Sequence, residues 1–356
     1  MRILLVGDSF ELQDNAERYT RRALEALGHV VIPFDCLLSR ATLVTLLPVT
    51  WRQRLRRLVP PPRHWWPILR RRETAAMGQA LLECVAREQP DVLFVFKGTP
   101  LTPEVLRTVW DRFRIPRLNW CPDDPFRYLS DAIYPCYEVF CVANPTCLEP
   151  LRRRGARQVL ELPFACDPTV HRRLELDEAE RHRWHSDVCF VGSYHPRREA
   201  FLNALTAWDL AIWGPGWEQL STRSPLRPSL RGGAIRVAEW VKAYNAASLV
   251  LNISHPQERD VSLPMRIFEA LACGAPLLTT WSTLAAQLFR VGVELETFRT
   301  PEELCHKVRY YLDHPDERRQ MAERGQAAVY AEHTYVHRMQ KLLPVIEAIV
   351  RAPGQR

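Results

Sequence analysis

Asp187 to Phe201 reads DVCFVGSYHPRREAF. DVCFV is a short apolar run of the kind a fully buried parallel strand carries. Gly192-Ser193 breaks the run, and Pro196 suits the first turn of a helix. The chain opens on the same strand-then-helix order. Arg2 to Gly7 (RILLVG) predicts a strand, and Glu11 to Gly28 a helix stopped by Gly28. Between these two openings the spacing predicts strands over His29–Phe34, Asp91–Phe96, Arg117–Trp120, Glu138–Val142 and Val159–Leu162. Helices are expected over Thr74–Glu88, Thr102–Phe113 and Pro145–Arg154. LPFACDP (Leu162 to Pro168) and a polar, charge-dense stretch to His185 interrupt the alternation. It resumes with strands over Asp187–Val191, Asp209–Trp213, Ser248–Ile253, Pro276–Thr279 and Val293–Phe298. Helices are expected over Arg197–Thr206, Ala238–Ala246, Pro264–Cys273, Pro301–His314, Pro315–Val329 and Tyr335–Val350. This is an α/β pattern of two doubly wound parallel sheets, residues 1–165 and 166–334, followed by a last helix over 335–350. Open sheets of this kind bind ligands beyond the carboxyl ends of their strands, so a site is expected in a central cleft that the two halves face.

Composition narrows the functional classes. The chain has 356 residues, 47% hydrophobic and 25% charged, as packed globular proteins do. No apolar run reaches the ~18–20 residues of a transmembrane helix. The opening MRILLVGDSF is too short for a secretory core, which points to the cytoplasm. Ten scattered cysteines with no C-x-x-C spacing argue against a disulfide scaffold, a zinc site or thioredoxin chemistry, and no metal-ligand set stands out. The formal charge of +7 is local. Residues 51–72, WRQRLRRLVPPPRHWWPILRRR, hold eight arginines and no acid, leaving the remaining 334 residues at −1. Pro60-Pro61-Pro62 forbids one continuous helix there. The arginine–tryptophan mixture suits a solvated cover of the first half, or peripheral contact with an anionic membrane face or a lipid-linked acceptor. Nucleic acid is disfavoured.

The strand ends supply the candidate chemistry. G-x-G-x-x-G and G-x-x-x-x-G-K-[S/T] are absent, which argues against a dinucleotide enzyme and a P-loop NTPase. LPMRIFEALACGAPLLTT (Leu263 to Thr280) places Pro264 and Met265 at a helix start, where backbone N–H groups favour anions. Arg266 there suits a phosphate. Glu269, three residues on, suits the vicinal diol of a ribose; the alternative is a plain surface pair with Arg266. Arg197 and Arg198 fall in a first helical turn, where the dipole disfavours cations, so an anionic ligand would explain them as well as a solvated face does. LNWCPDDPF (Leu118 to Phe126) sets Asp123 and Asp124 after a strand, as a general base, a ligand of an acceptor hydroxyl, or simply a turn. Lys97-Gly98 and Gly7-Asp8-Ser9 end strands on the same side.

Together these runs resemble the CgeB-like spore-maturation glycosyltransferases, relatives of glycosyltransferase family 4. The resemblance rests on Lys97-Gly98, NWCPDDPF, LPFACDP, DVCFVGSYHPRR, IWGPGW (Ile212 to Trp217), YNAASLVLNI (Tyr244 to Ile253), RIFEALACGAPLLT and DHPDERRQMAERG (Asp313 to Gly325), all in the family's order. It implies a GT-B fold: two Rossmann-like domains, the first for the acceptor and the second for a nucleotide-diphosphate sugar, a UDP- or GDP-sugar. It also implies a hexosyltransferase-type activity (EC 2.4) without metal or cofactor. Glu269 would hold the ribose. Arg266, Arg197, Arg198 and the backbone around Gly192, Ser193, Pro264 and Met265 would hold the diphosphate. Lys97, Gly98, Asp8 and Ser9 would face a glycan, lipid-linked or protein acceptor. The last helix would return to the first domain. One departure stands out: the family's retaining members carry a glutamate eight residues before the ribose glutamate, and Val261 stands there, beside Asp260. Retention and inversion are both left open; inversion needs a general base, for which Asp123, Asp124 and His195 are the candidates. An epimerase or hydrolase of the same fold, and a non-catalytic nucleotide-sugar-binding module, are the rival readings.

Overall fold

The structure is a computed structural model that describes residues 1–7, 15–36, 65–254 and 263–352, with backbone alone for 65–73. The segment 51–64, and with it most of the arginine–tryptophan stretch, lies outside the described residues. So do Asp8, Ser9, Asp260 and Val261. The chain divides into two compact units, Met1–Pro163 with Arg338–Arg356, and Phe164–His337.

In the first unit the elements run β1 (Arg2–Gly7), α1 (Ala16–Ala26), β2 (Val30–Asp35), α2 (Trp65–Glu88), β3 (Val92–Phe96), α3 (Pro103–Phe113), β4 (Arg117–Cys121), α4 (Pro125–Tyr128), β5 (Val139–Val142), α5 (Leu148–Arg153) and β6 (Gln158–Glu161). The strands make one parallel sheet in the order β2-β1-β3-β4-β5-β6. Every residue of β3, β4 and β5 is buried, as a sheet covered on both faces demands. Local signals set the helix ends. Asn15 accepts from the Arg18 N–H at 3.0 Å and starts α1, and Gly28, at φ +82°, sits just beyond its end. Thr102 caps α3 in the same way.

The second unit runs α6 (Glu178–Trp184), β7 (Ser186–Val191), α7 (Pro196–Asn203), β8 (Leu210–Trp213), β9 (Leu230–Gly232), α8 (Val237–Ala246), β10 (Ala247–Asn252), α9 (Met265–Ala272), β11 (Leu277–Thr280), α10 (Thr283–Leu288), β12 (Glu296–Phe298), α11 (Pro301–Asp313) and α12 (Pro315–Glu332). Its parallel sheet has the order β12-β11-β10-β7-β8-β9. One core cluster gathers Phe268, Leu271, Trp240 and Tyr244. Another gathers Phe190, Trp217, Phe298 and Leu304. The last helix, α13 (Tyr335–Arg351), begins in this unit and continues into the residues grouped with the first.

Several short elements, α4 among them, depart from the sequence expectations. The charge-dense stretch before His185 contains α6, whose cap is Asp177, accepting from the Glu180 N–H at 2.7 Å. Only Trp184 of its seven residues is buried, so no apolar period announces it. Likewise β9, three residues of which two are exposed, at the sheet edge, and α10, six residues, are too short to show periodicity.

Candidate donor-end site of the second unit

In the second sheet the chain works outward from β7 through β8 to β9, then returns to β10 on the other side of β7 and continues to β11 and β12. The reversal lies between β7 and β10, and the crevice beyond the carboxyl ends of such a strand pair is where open α/β sheets take ligands. Gly192 and Ser193 follow β7 directly.

Main-chain bonds hold that turn. The Gly192 N–H donates to the Trp213 carbonyl at 2.8 Å, and the Tyr194 N–H donates to the Pro215 carbonyl at 2.9 Å. The Trp217 indole N–H donates to the Gly192 carbonyl at 2.8 Å. Gly214 makes this approach feasible: at φ +142° it favours glycine, and a Cβ there would lie 2.1 Å from the Gly192 carbonyl oxygen. IWGPGW is thus a brace for the β7 turn.

Arg198 ties the two strand ends together. Its guanidinium donates to the Ile253 carbonyl after β10 at 2.9 Å, to the Ser193 carbonyl at 2.9 Å and to the Ser193 hydroxyl at 3.0 Å. Arg197, its neighbour in the first turn of α7, is exposed and lies over the Phe201 ring. His195 caps α7, its Nδ1 accepting from the Arg197 N–H at 3.1 Å.

On α9, Pro264 stands in extended conformation at the N-cap and Met265 begins the helix, its sulfur accepting from the Tyr335 hydroxyl at 3.2 Å. Arg266 points toward β7: its guanidinium donates to the Val191 carbonyl and lies 3.5 Å from the Tyr244 hydroxyl. The i,i+3 surface pair is therefore not what forms. Glu269 is 4% exposed. Burial pushes its carboxyl up to about 7, against the pull of the Arg266 charge. Among the described residues the carboxylate accepts no hydrogen bond; His171 Nε2 lies 3.5 Å from it. Gly274, at φ +69°, ends α9, as its position predicts.

The first unit brings Lys97 and Asp123 together at 2.6 Å beyond β3 and β4. Lys97 and Gly98 are successive residues at positive φ, +61° and +79°. The Asn119 amide donates to the Lys97 carbonyl at 3.2 Å and supports the turn. The Lys97 ammonium lies 4.3 Å from the Tyr128 ring centroid. Burial pulls its pKa down, but the Asp123 hydrogen bond and charge outweigh that and leave it raised. Asp124 serves instead as the cap of α4, accepting from the Phe126 N–H at 3.0 Å. The sequence reading missed His171, Tyr244, Tyr128 and the bracing role of Trp217. Only the family-like segments around them signalled their neighbourhoods.

A family profile described as glycosyl transferase-like matches residues 197–344, which contain α7 through most of α13. The structure is similar to sucrose-phosphate synthase from Thermosynechococcus elongatus, with a TM-score of 0.67, 15% identity and coverage of 98% of this chain and 99% of that one. It is similar to HepE from Anabaena in complex with UDP and glucose, with a TM-score of 0.62, 14% identity and coverage of 98% and 100%. The N-terminal domain of a trehalose-6-phosphate phosphatase from Candida albicans also matches, with a TM-score of 0.65, 13% identity and coverage of 98% and 96%. No curated protein matches the chain significantly. Two parallel six-stranded sheets with flanking helices, one in each unit, give this chain the two-domain α/β fold of the GT-B glycosyltransferases.

Proposed function

We propose that this protein is a glycosyltransferase of the CgeB-like kind, moving a hexosyl group from a nucleotide-diphosphate sugar to an acceptor hydroxyl or amine. One observation carries the reading. Glu269 is a buried carboxylate on α9, three residues after the Arg266 that meets the end of β7, and among the described residues it accepts no hydrogen bond. A buried carboxylate of this kind is costly, and a ligand that donates two hydrogen bonds offsets that cost. A ribose diol has that chemistry. The profile match over 197–344 and the UDP bound in the similar HepE structure support a nucleotide donor for this unit.

Arg266 orients α9 against β7, and Arg198 fixes the turn that would meet the diphosphate. With their guanidinium groups engaged by main-chain carbonyls, both shape the site, while backbone N–H groups at Ser193 and at the start of α9 would meet phosphate oxygens. Arg197, exposed on the first turn of α7, is the cation placed to add charge. In the first unit, Lys97-Gly98 and Asp123 would meet the acceptor, with Asp123 the preferred base should the reaction invert. Asp124 and His195 each cap a helix and rank below it. No metal takes part in this proposal. We place the enzyme in the cytoplasm, with 51–72 as its contact to an anionic membrane face. No helix among the described residues is long and apolar enough to cross a membrane.

A thermal-shift panel of UDP-, GDP-, dTDP- and ADP-sugars tests the donor. A ligand at 100 times its dissociation constant raises stability by about 2.7 kcal/mol, which such a panel resolves. Glu269→Ala is expected to remove the shift while the variant stays folded, and equal affinity of the two proteins by calorimetry would refute the role of Glu269. Product analysis separates the rivals: turnover of donor without acceptor would mark an epimerase or hydrolase, and binding without any transfer a silent module.

A further inference from the structure

We infer that His171 is a positioning residue of the donor site, holding the Glu269 carboxylate ionised and aimed at the ribose. The inference rests on the reading of Glu269 as the ribose ligand and adds a second residue to it. His171 lies on the segment between Phe164 and α6, 98 residues before Glu269, and its side chain is fully buried.

Several contacts bear on its state. The Asp167 N–H donates to His171 Nδ1 at 3.1 Å. A nitrogen that accepts must present its lone pair, so the neutral ring carries its proton on Nε2. Nε2 is the atom 3.5 Å from Glu269 Oε1. The ring also stacks on Trp240 with centroids 5.4 Å apart and planes 19° from parallel, which fixes its orientation. A further contact couples the two backbones. The Tyr330 hydroxyl lies 3.0 Å from the His171 carbonyl and 3.0 Å from the carbonyl of Ala272, in the last turn of α9. The Gln326 amide donates to the same Ala272 carbonyl at 2.7 Å. Helix α12 thereby holds the histidine and the helix bearing the glutamate in one frame.

A phenylalanine would keep the stack on Trp240 without desolvating a polar ring. The imidazole adds two things: an acceptor for the Asp167 N–H and an N–H facing Glu269. The first is local architecture. The second sets the positive end of an N–H dipole 3.5 Å from one carboxylate oxygen, which favours the charged form of a carboxyl whose burial opposes ionisation and turns that oxygen toward the ring, leaving the other for a diol.

Calorimetry with UDP and with GDP, each beside its 2′-deoxy counterpart, reads this role in the intact protein. Wild type is expected to prefer the ribonucleotide about tenfold, as loss of one hydrogen bond to a charged acceptor implies. Glu269→Gln should abolish that preference. His171→Phe should weaken ribonucleotide binding about tenfold and leave deoxynucleotide binding unchanged, with His171→Gln restoring most of the loss. His171→Asn keeps the acceptor for Asp167 without reaching Glu269; it stands in for the phenylalanine variant should that fail to fold, with the same outcome expected. Equal weakening of both nucleotides, or an intact preference, overturns the role of His171 while leaving that of Glu269 standing. An intact preference in Glu269→Gln, or no binding by wild type, overturns the reading of the site and this inference with it.

Discussion

Lys97 with Asp123 in the first unit and His171 with Glu269 in the second both set a nitrogen donor against a carboxylate beyond the strands of a parallel sheet. Their surroundings differ. The first pair is tight, at 2.6 Å, with side chains 27% and 45% exposed. The second is looser, at 3.5 Å, with side chains 0% and 5% exposed. Distance alone would rank the first pair higher. Solvent reverses the order: an exposed ion pair contributes at most about 1 kcal/mol, whereas in a buried site small changes in partners decide whether a carboxyl is charged at all. The first pair lies at a surface shared with water, the second in a socket closed to it.

The largest test of that contrast removes the brace of the socket. Gly214→Ala puts a methyl against the Gly192 main chain at a positive φ, and should lower stability by more than about 3 kcal/mol and abolish donor binding. An unchanged denaturant midpoint would show that the turn is more yielding than its packing implies.

A comparable but pH-dependent effect belongs to Glu269. Its folded pKa of about 7 lies above the ordinary value of 4.5, so the unfolded chain releases this proton first. The associated stability is fully present below pH 4.5 and is lost as pH rises to about 7, a change on the order of 3 kcal/mol. The difference between wild type and Glu269→Gln in urea melts from pH 4 to 8 isolates it. A pH-independent difference would mean that the carboxyl is not desolvated. Saturating nucleotide should flatten the slope, because the ligand favours the ionised form.

The smallest effect is expected from Asp123→Asn. Stability should change by about 1 kcal/mol or less, and donor affinity not at all. A loss of transfer with donor binding intact would sharpen the comparison by giving the exposed pair an acceptor role. A loss of donor binding would dissolve the division between the two sites.

Much of this was legible in the chain, for identifiable reasons. Buried parallel strands such as VLFVF and VFCV are apolar throughout, and Thr102 stands where its helix begins, so the alternation could be read without coordinates, although the spacing starts the first helix at Glu11 and the cap is Asn15. Glu269 and Arg266 were legible as a pair on one helix. Their divergence was not: Arg266 turns to the Val191 carbonyl because the end of β7 lies within its reach, which only tertiary packing determines. His171 was hidden for the same reason, since its partner is 98 residues away and a histidine after Asp167-Pro168 has no local signature. Asp123 and Asp124 are adjacent and alike in sequence. The ion pair to Lys97 and the cap of α4 separate them, and both depend on where β3 and β4 end.

The turn after β7 has a consequence for how this site can change. Its shape comes from peptide groups and from glycine at 214, while Ser193 sits on it exposed, meeting only the Arg198 guanidinium among the described contacts. A rim written in peptide bonds tolerates new side chains without being rebuilt. Under the proposed function, position 193 is therefore a place where an altered preference for the donor can arise in a single substitution, with the scaffold beneath it unchanged.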